Sequence, residues 1–265
     1  MIRPEQAALI ISVYKNTTDL EVVLRSVENQ SITGSGVIIS EDGESEEMKT
    51  FVENYRGNLS IQHVTQQDIG WRKNAALNNA IRNSKQPYLV FIDGDCVLHP
   101  KFIEEHLQRS NENQILAGRR VKLGPKFSTR LRRDGSVNRI TSRFVQQIPL
   151  HMIDGASFIE EGVYSKVLAR LKQSKTLKGC NFSCYRSALQ AINGFDENYE
   201  LPAVGEDTDL DWRFEGLGFE IKSVRHLAVQ YHLHHKEGWQ DVRENLAYMK
   251  EKMGRQEFVA KNGLT

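Results

Sequence analysis

The chain has 265 residues, a length that admits one domain or two. Its 35 basic and 34 acidic residues leave a net charge of +1, too balanced for a dedicated nucleic-acid binder. With 39% hydrophobic and 26% charged residues, the composition excludes a disordered, collagen-like or coiled-coil chain.

No apolar run approaches the roughly 18 residues of a membrane span. The N-terminal apolar stretch is short and has no small-residue cleavage site after it, so no signal peptide is expected. Cys96, Cys180 and Cys184 are odd in number and lack paired-ligand spacing. They predict reduced thiols in a cytoplasmic protein.

The first half alternates strand and helix patterns. A continuous apolar run at 7–13 suits a strand buried on both faces. A helix follows at 19–30, with Leu20, Val23, Leu24 and Val27 on one face. Further strands are predicted at 36–40, 60–65 and 87–92, with helices at 46–55 and 71–84 between them. This series predicts a mostly parallel sheet flanked by helices, a Rossmann-like α/β architecture. A helix at 102–110 and a strand at 114–121 come next. Residues 126–178 are polar with helical stretches. From Gly179 the pattern reads as a turn, a helix at 187–193, a loop at 194–205 and a helix at 207–216. A strand at 220–224, an apolar, His-rich run at 227–235 and an amphipathic helix at 238–253 complete the chain. Residues 1–265 are read as one domain, with a nucleotide-binding half at 1–124 and a substrate-binding half at 125–265.

Four clusters could carry chemistry. Asp93-Gly94-Asp95 ends the strand at 87–92, where open α/β sheets bind ligands. Two carboxylates there can hold Mg²⁺ or Mn²⁺ and, through it, a diphosphate. Asp and Gly are also ordinary turn residues. Gly205-Glu206-Asp207 opens a helix, where a carboxylate can serve as a base or simply complement the dipole. His232-Leu233-His234-His235 offers imidazoles three apart at His232 and His235, which suit a divalent transition metal. The stretch from Gln67 to Asn74 runs from a strand end into a helix and carries Gly70, Arg72 and Lys73, with Asn78 beyond. Basic residues at a helix start are not otherwise favoured, so Arg72 and Lys73 point to a phosphate.

In this order the segments ALIISVYKN, VIISEDGESEE, QDIGWRKNAALNNAI, YLVFIDGDCVLHPKFIEEHL, LAGRRVKLG, KGCNFSCYRSALQAINGFDENY, GEDTDLDWRF and AVQYHLHH resemble inverting, metal-dependent glycosyltransferases of family two, with the GT-A fold. The C-terminal segments are similar to the galactosyltransferase-type region of chondroitin polymerases and β-1,4-galactosyltransferases. The resemblance implies transfer of a sugar from a UDP-sugar to a glycan or lipid-linked acceptor in bacterial surface polysaccharide or lipopolysaccharide synthesis. It implies that Val13, Tyr14, Asn16 and Asp42 hold uracil, Asp42 being half of a Glu41-Asp42 pair. Arg72, Lys73 and Asn78 would lie near the nucleotide. Asp93 and Gly94 would face the ribose or metal. Asp95, with His232, His235 and Asp93, would hold Mn²⁺ or Mg²⁺. Asp207 would be the catalytic base and Glu206 would orient the acceptor.

Two rival readings are a nucleotidyltransferase acting on sugar phosphates and a non-catalytic nucleotide- or glycan-binding module. The first lacks its usual Gly/Arg/Lys-rich loop after the first strand. The second does not explain the retained acids and histidines. Between Arg119 and Arg143 nine basic residues face one acid, Asp134. That excess suits an anionic acceptor, a lipid-linked pyrophosphate or peripheral contact with the inner face of a membrane.

Overall fold

The computed structural model describes residues 2–202, 204–236 and 241–265. The first half runs β1 (Ala7–Val13), α1 (Thr17–Glu28), β2 (Gly36–Glu41), α2 (Glu46–Glu53), β3 (Ile61–Val64), α3 (Lys73–Asn83), β4 (Tyr88–Asp93), β5 (Cys96–Leu98), α4 (Phe102–Gln108), β6 (Gln114–Ala117) and β7 (Val121–Lys122). The second half has α5 (Pro125–Asp134), α6 (Val137–Arg143), α7 (Ile148–Ile153), α8 (Lys166–Leu171), β8 (Asn181–Tyr185), α9 (Arg186–Ala191), α10 (Asp207–Gly216), β9 (Glu220–Ser223), β10 (Gln230–His232) and α11 (Arg243–Gly254).

Seven strands form the main sheet in the order β3-β2-β1-β4-β8-β6-β9. All are parallel except β8, which runs antiparallel to both β4 and β6. β1 and β4 lie at the centre with apolar side chains on both faces, which explains their uninterrupted hydrophobic runs. The chain reverses direction of travel across the sheet between β1 and β4. Loops after the carboxyl ends of these strands therefore diverge and leave a crevice.

A second sheet, β5-β10-β7, closes one side of that crevice. Apolar residues pack on both faces of the main sheet. A third cluster, including Val22, Val97, Leu131, Phe144 and Tyr231, fills the space between α1, the small sheet and α5–α6. Side chains of this size each contribute about 1.5–3 kcal/mol when fully buried.

Three expectations are corrected. The turn read after Gly179 is β8, a central strand. Its alternating polar residues look solvent-facing, but they are buried and satisfied inside: the Ser183 hydroxyl lies 2.7 Å from both the Tyr88 hydroxyl and His106 Nδ1, and Asn181 Oδ1 is 3.1 Å from His106 Nε2. On the other face Phe182 stacks on Phe91 at 4.4 Å. The single strand read at 114–121 is two, β6 and β7, in different sheets, with the break at Gly118, where a Cβ would overlap the Asn181 side chain. In the last helix, residues 241 and 242 stand outside the helix that starts at Arg243, and residues 238–240 of the expectation lie outside the described residues.

Candidate active site

The loop after β1 is held open by local chemistry. Asn16 caps α1, its Oδ1 accepting the Asp19 N–H at 3.1 Å. Lys15 sits at φ 53° and its ammonium pairs with Asp68 at 2.5 Å, tying this loop to the one before α3. Val13, Tyr14 and Asn16 line a cavity of about 660 Å³ together with Asp42, Trp71, Lys73 and the Asp93-Gly94-Asp95 loop. Gly94 is required there: its N–H donates to the Ser12 carbonyl at 2.8 Å, and a Cβ would meet Val13 Cγ1 at 2.5 Å.

The acidic pair at the end of β2 divides its work. Glu41 is fully buried, accepts the Ser45 N–H at 3.1 Å and lies 2.8 Å from His63 Nε2. Burial pushes its carboxyl up, but the His63 and Ser45 hydrogen bonds prevail and hold it below the usual range. Asp42 lines the cavity, accepting from Gln66 Nε2 and the Arg72 backbone N–H, each at 2.8 Å. Arg72 thus reaches the site through its backbone.

Asn78 does not reach the cavity, which corrects the nucleotide-contact expectation. It is fully buried, and its amide is consumed by the Phe195 carbonyl, the Phe195 N–H and Glu197 at 2.8, 3.0 and 2.9 Å. It clamps the 194–205 loop onto α3.

Asp95, His232 and His235 converge. Antiparallel pairing sets His232 of β10 opposite Cys96 of β5, and the Leu233 N–H donates to the Asp95 carbonyl at 2.9 Å. Asp95 Oδ2 is 3.2 Å from His232 Nε2 and 3.4 Å from His235 Nε2. Burial raises the Asp95 carboxyl, but the two imidazoles outweigh it and hold it well below the usual range. One donor atom from each of the three residues lies within 4.8 Å of the others. One hard oxygen and two borderline nitrogens fit Mn²⁺ better than Mg²⁺, which prefers oxygen alone.

Asp93 points elsewhere. Lys73, at the first turn of α3, bridges it at 2.7 Å to Glu206 at 2.8 Å, and Arg120 approaches it at 3.5 Å. Burial disfavours the Lys73 ammonium, yet the two carboxylates hold it charged far above the usual range. Glu206 shows the converse: burial raises it and Lys73 opposes. Asp93 also lies with Cys96 and Cys180 in a second group of potential donors within 4.8 Å.

Beyond this bridge lies a second cavity of about 650 Å³, shared with the first through Asp93. Glu206 and Asp207 form one wall at the opening of α10. Asp207 accepts the Thr208 N–H at 2.8 Å and the Gly179 N–H at 3.5 Å, with Lys178 Nζ 3.7 Å away. Gly179 is required, because a Cβ would overlap the Glu206 carboxylate. The other acids of α10 are engaged elsewhere. Asp209 is fully buried against Arg213 at 2.7 Å and Lys252 at 2.8 Å. Asp211, raised to about 6 by burial, accepts the Leu177 N–H at 2.6 Å.

Sequence reasoning did not assign Trp71, Arg119, Arg120, Lys178 or Gly179 to the site. Trp71 lies inside the Gln67–Asn74 stretch and Arg119 and Arg120 inside the basic segment, without individual roles; Lys178 and Gly179 precede a strand that local pattern hides. The basic segment is dispersed by the fold. Arg119, Arg120 and Lys122 line the second cavity, and Arg132 pairs with Asp19 at 2.5 Å. Lys126, Arg133, Arg139 and Arg143 are exposed on or beside α5 and α6.

An open sheet with a divided crevice, a metal-compatible triad on one side and a carboxylate at a helix start on the other define a GT-A glycosyltransferase fold. The chain belongs to glycosyl transferase family 2, whose family model matches residues 8–168. A second model, the N-terminal domain of galactosyltransferase, matches residues 165–236. Chondroitin synthase of Escherichia coli is 27% identical over 236 residues, covering 85% of this chain and 34% of that protein. Chondroitin synthase of Pasteurella multocida is 25% identical over 232 residues, covering 80% and 23%. The chain therefore spans about a third or less of these relatives. Among solved structures, a Pyrobaculum calidifontis mannosyltransferase in complex with GDP-Man and Mn²⁺ superposes with TM-score 0.63 at 15% identity, covering 96% of this chain and 65% of that one. Staphylococcus aureus TarS superposes at 0.62 and 12% identity, covering 97% and 40%.

Proposed function

We propose that the protein is an inverting, metal-dependent glycosyltransferase that moves a sugar from a UDP-sugar to a hydroxyl of a glycan or lipid-linked acceptor, in bacterial surface polysaccharide or lipopolysaccharide synthesis. One observation carries the reading: two cavities meet at the Asp93–Lys73–Glu206 bridge, with the Asp95/His232/His235 triad on one side and Asp207 on the other. Asp95, His232 and His235 would hold a divalent ion, Mn²⁺ by the donor set, which would supply positive charge against the leaving diphosphate.

The chain's own groups perform the rest. Asp42 and the loop 13–16 take the nucleobase, a carboxylate accepting the ring N–H of uracil. Lys73 stays charged between Asp93 and Glu206 and stands beside the departing phosphate. The acceptor hydroxyl enters the second cavity and gives its proton to Asp207 as it attacks the anomeric carbon from the face opposite the leaving group. Glu206, locked by Lys73, shapes the acceptor wall. A single displacement of this kind inverts the anomeric centre.

The reading places the protein in the cytoplasm. No helix among the described residues is long and apolar enough to cross a membrane. The exposed basic residues of α5 and α6, beside exposed Leu150, Met152 and Ile153 of α7, are the surface for peripheral contact with an anionic leaflet.

The test is Asp207→Asn, which keeps the size and one acceptor oxygen but cannot take a proton. UDP release from UDP-sugars with Mn²⁺ and the true acceptor should fall by about 10²-fold or more. UDP–Mn²⁺ binding should stay near normal. Near-native turnover by the variant would move the base role to another group, Glu206 first.

A further inference from the structure

The second cavity carries four cations and four acids on its walls. Arg119, Arg120, Lys122 and Lys178 line it, against Asp93, Glu161, Glu206 and Asp207. Asp207 faces Lys178 at 3.7 Å and Asp93 meets Arg120 at 3.5 Å, while three of the acids also have partners from outside the cavity. Lys73 holds Asp93 and Glu206. Arg225 holds Glu161 through Nη2 at 2.6 Å and Nε at 2.8 Å.

Arg119 stands apart. Its side-chain hydrogen bonds go to the hydroxyls of Ser174 and Thr176, and among the described residues no carboxylate lies within ion-pair distance of it. Its Nη1 is buried without a hydrogen-bond partner among the described residues. Burial pulls this guanidinium below its usual range, and the more distant Glu161 and Asp211 only partly restore it. A desolvated guanidinium with an unpartnered Nη1 and no counter-ion matches an oxyanion, which it can bind through a charge-assisted hydrogen bond. The donor's own phosphates are not that anion, because Arg119 does not line the first cavity.

We propose that Arg119 binds an anionic group of the acceptor, a carboxylate or a phosphate, close to the hydroxyl that Asp207 deprotonates. This inference rests on the second cavity being the acceptor site. Arg119 then acts as a specificity-determining residue, selecting acid-bearing saccharides over neutral ones.

Ligand-observed NMR on protein loaded with UDP and Mg²⁺ tests it. The probes are methyl β-glucuronide for a carboxylate, glucose 6-phosphate for a phosphate and methyl β-glucoside as the neutral control. At least one anionic probe should bind about tenfold or more tighter than the glucoside, the scale of a charge-assisted hydrogen bond. Which of the two does so identifies the anion. Arg119→Gln should erase the preference while UDP affinity is unchanged, and Arg119→Lys should restore part of it. A preference that survives Arg119→Gln overturns the proposal, as does equal binding of the neutral probe or no binding of either anionic probe to protein that holds UDP. Weakened UDP binding in Arg119→Gln would assign the residue to the donor and also overturn it. Wild-type protein that binds no UDP would fail the underlying glycosyltransferase reading itself.

Discussion

At the scale of residues, Asp95 is the most exposed to test. It is the one oxygen donor of the triad, and both imidazoles lean on it. Asp95→Ala should abolish nearly all transfer with the fold intact, and metal-dependent UDP binding should fall with it. Turnover at the native rate in EDTA would end the metal reading. In the proposed function Asp42 selects the nucleobase. Its carboxylate already accepts two hydrogen bonds and presents only acceptor capacity to a ligand. Calorimetry with Mn²⁺ should show UDP binding tighter than GDP; equal or tighter GDP binding would remove Asp42 from base selection.

At the scale of elements, α10 presents its first residue to the cavity because its interior acids are tied down. Lys252 of α11, 3% exposed, pairs with Asp196 at 2.5 Å and Asp209 at 2.8 Å, and Arg213 takes the other oxygen of Asp209. The Tyr199 hydroxyl donates to Asp209 at 2.9 Å. This network fastens α10, the 194–205 loop and α11 into one block. Lys252→Met would leave buried carboxylates short of charge. It should cost about 3–5 kcal/mol in denaturant unfolding, the range for breaking a buried pair. A loss below about 1 kcal/mol would show that water compensates those carboxylates. The small sheet works similarly on the other side, since β5 and β10 are only three residues each and matter mainly for the register that sets Asp95 beside His232.

At the scale of the molecule, the two halves share one sheet. Strands β1–β4 and β6 come from the first 124 residues, whereas β8 and β9 come from beyond. β8 seals β4 and joins it to β6, so the crevice has both of its walls only when the whole chain is folded. The exposed cations Lys126, Arg133, Arg139 and Arg143 lie on or beside α5 and α6. Vesicles rich in anionic lipid should co-sediment the protein at low salt and release it at high salt, as screening shortens the reach of these charges. Equal binding to neutral vesicles would refute an electrostatic contact.

The sequence by itself determined the alternating strands and helices of the first half, because strands buried on both faces carry long apolar runs that local pattern exposes. It also marked Asp93, Asp95, Asp207, His232 and His235, because carboxylates at strand and helix ends and clustered imidazoles are local signals. Tertiary structure alone decided the rest. β8 was hidden because Asn181 and Ser183 find their partners, His106 and Tyr88, some 75 and 95 positions away in the chain. Asn78 carries a polar side chain whose partners come from the 194–205 loop, so only folding reveals it as a clamp. Whether Glu41 or Asp42 faces the cavity depended on His63, delivered by the neighbouring strand β3. The fate of nine basic residues depended on which ones the fold turned inward. Periodicity and end signals are written in neighbouring residues, whereas hydrogen-bond partners and counter-ions are supplied across the sheet, and those are what separate a cavity wall from a buried brace.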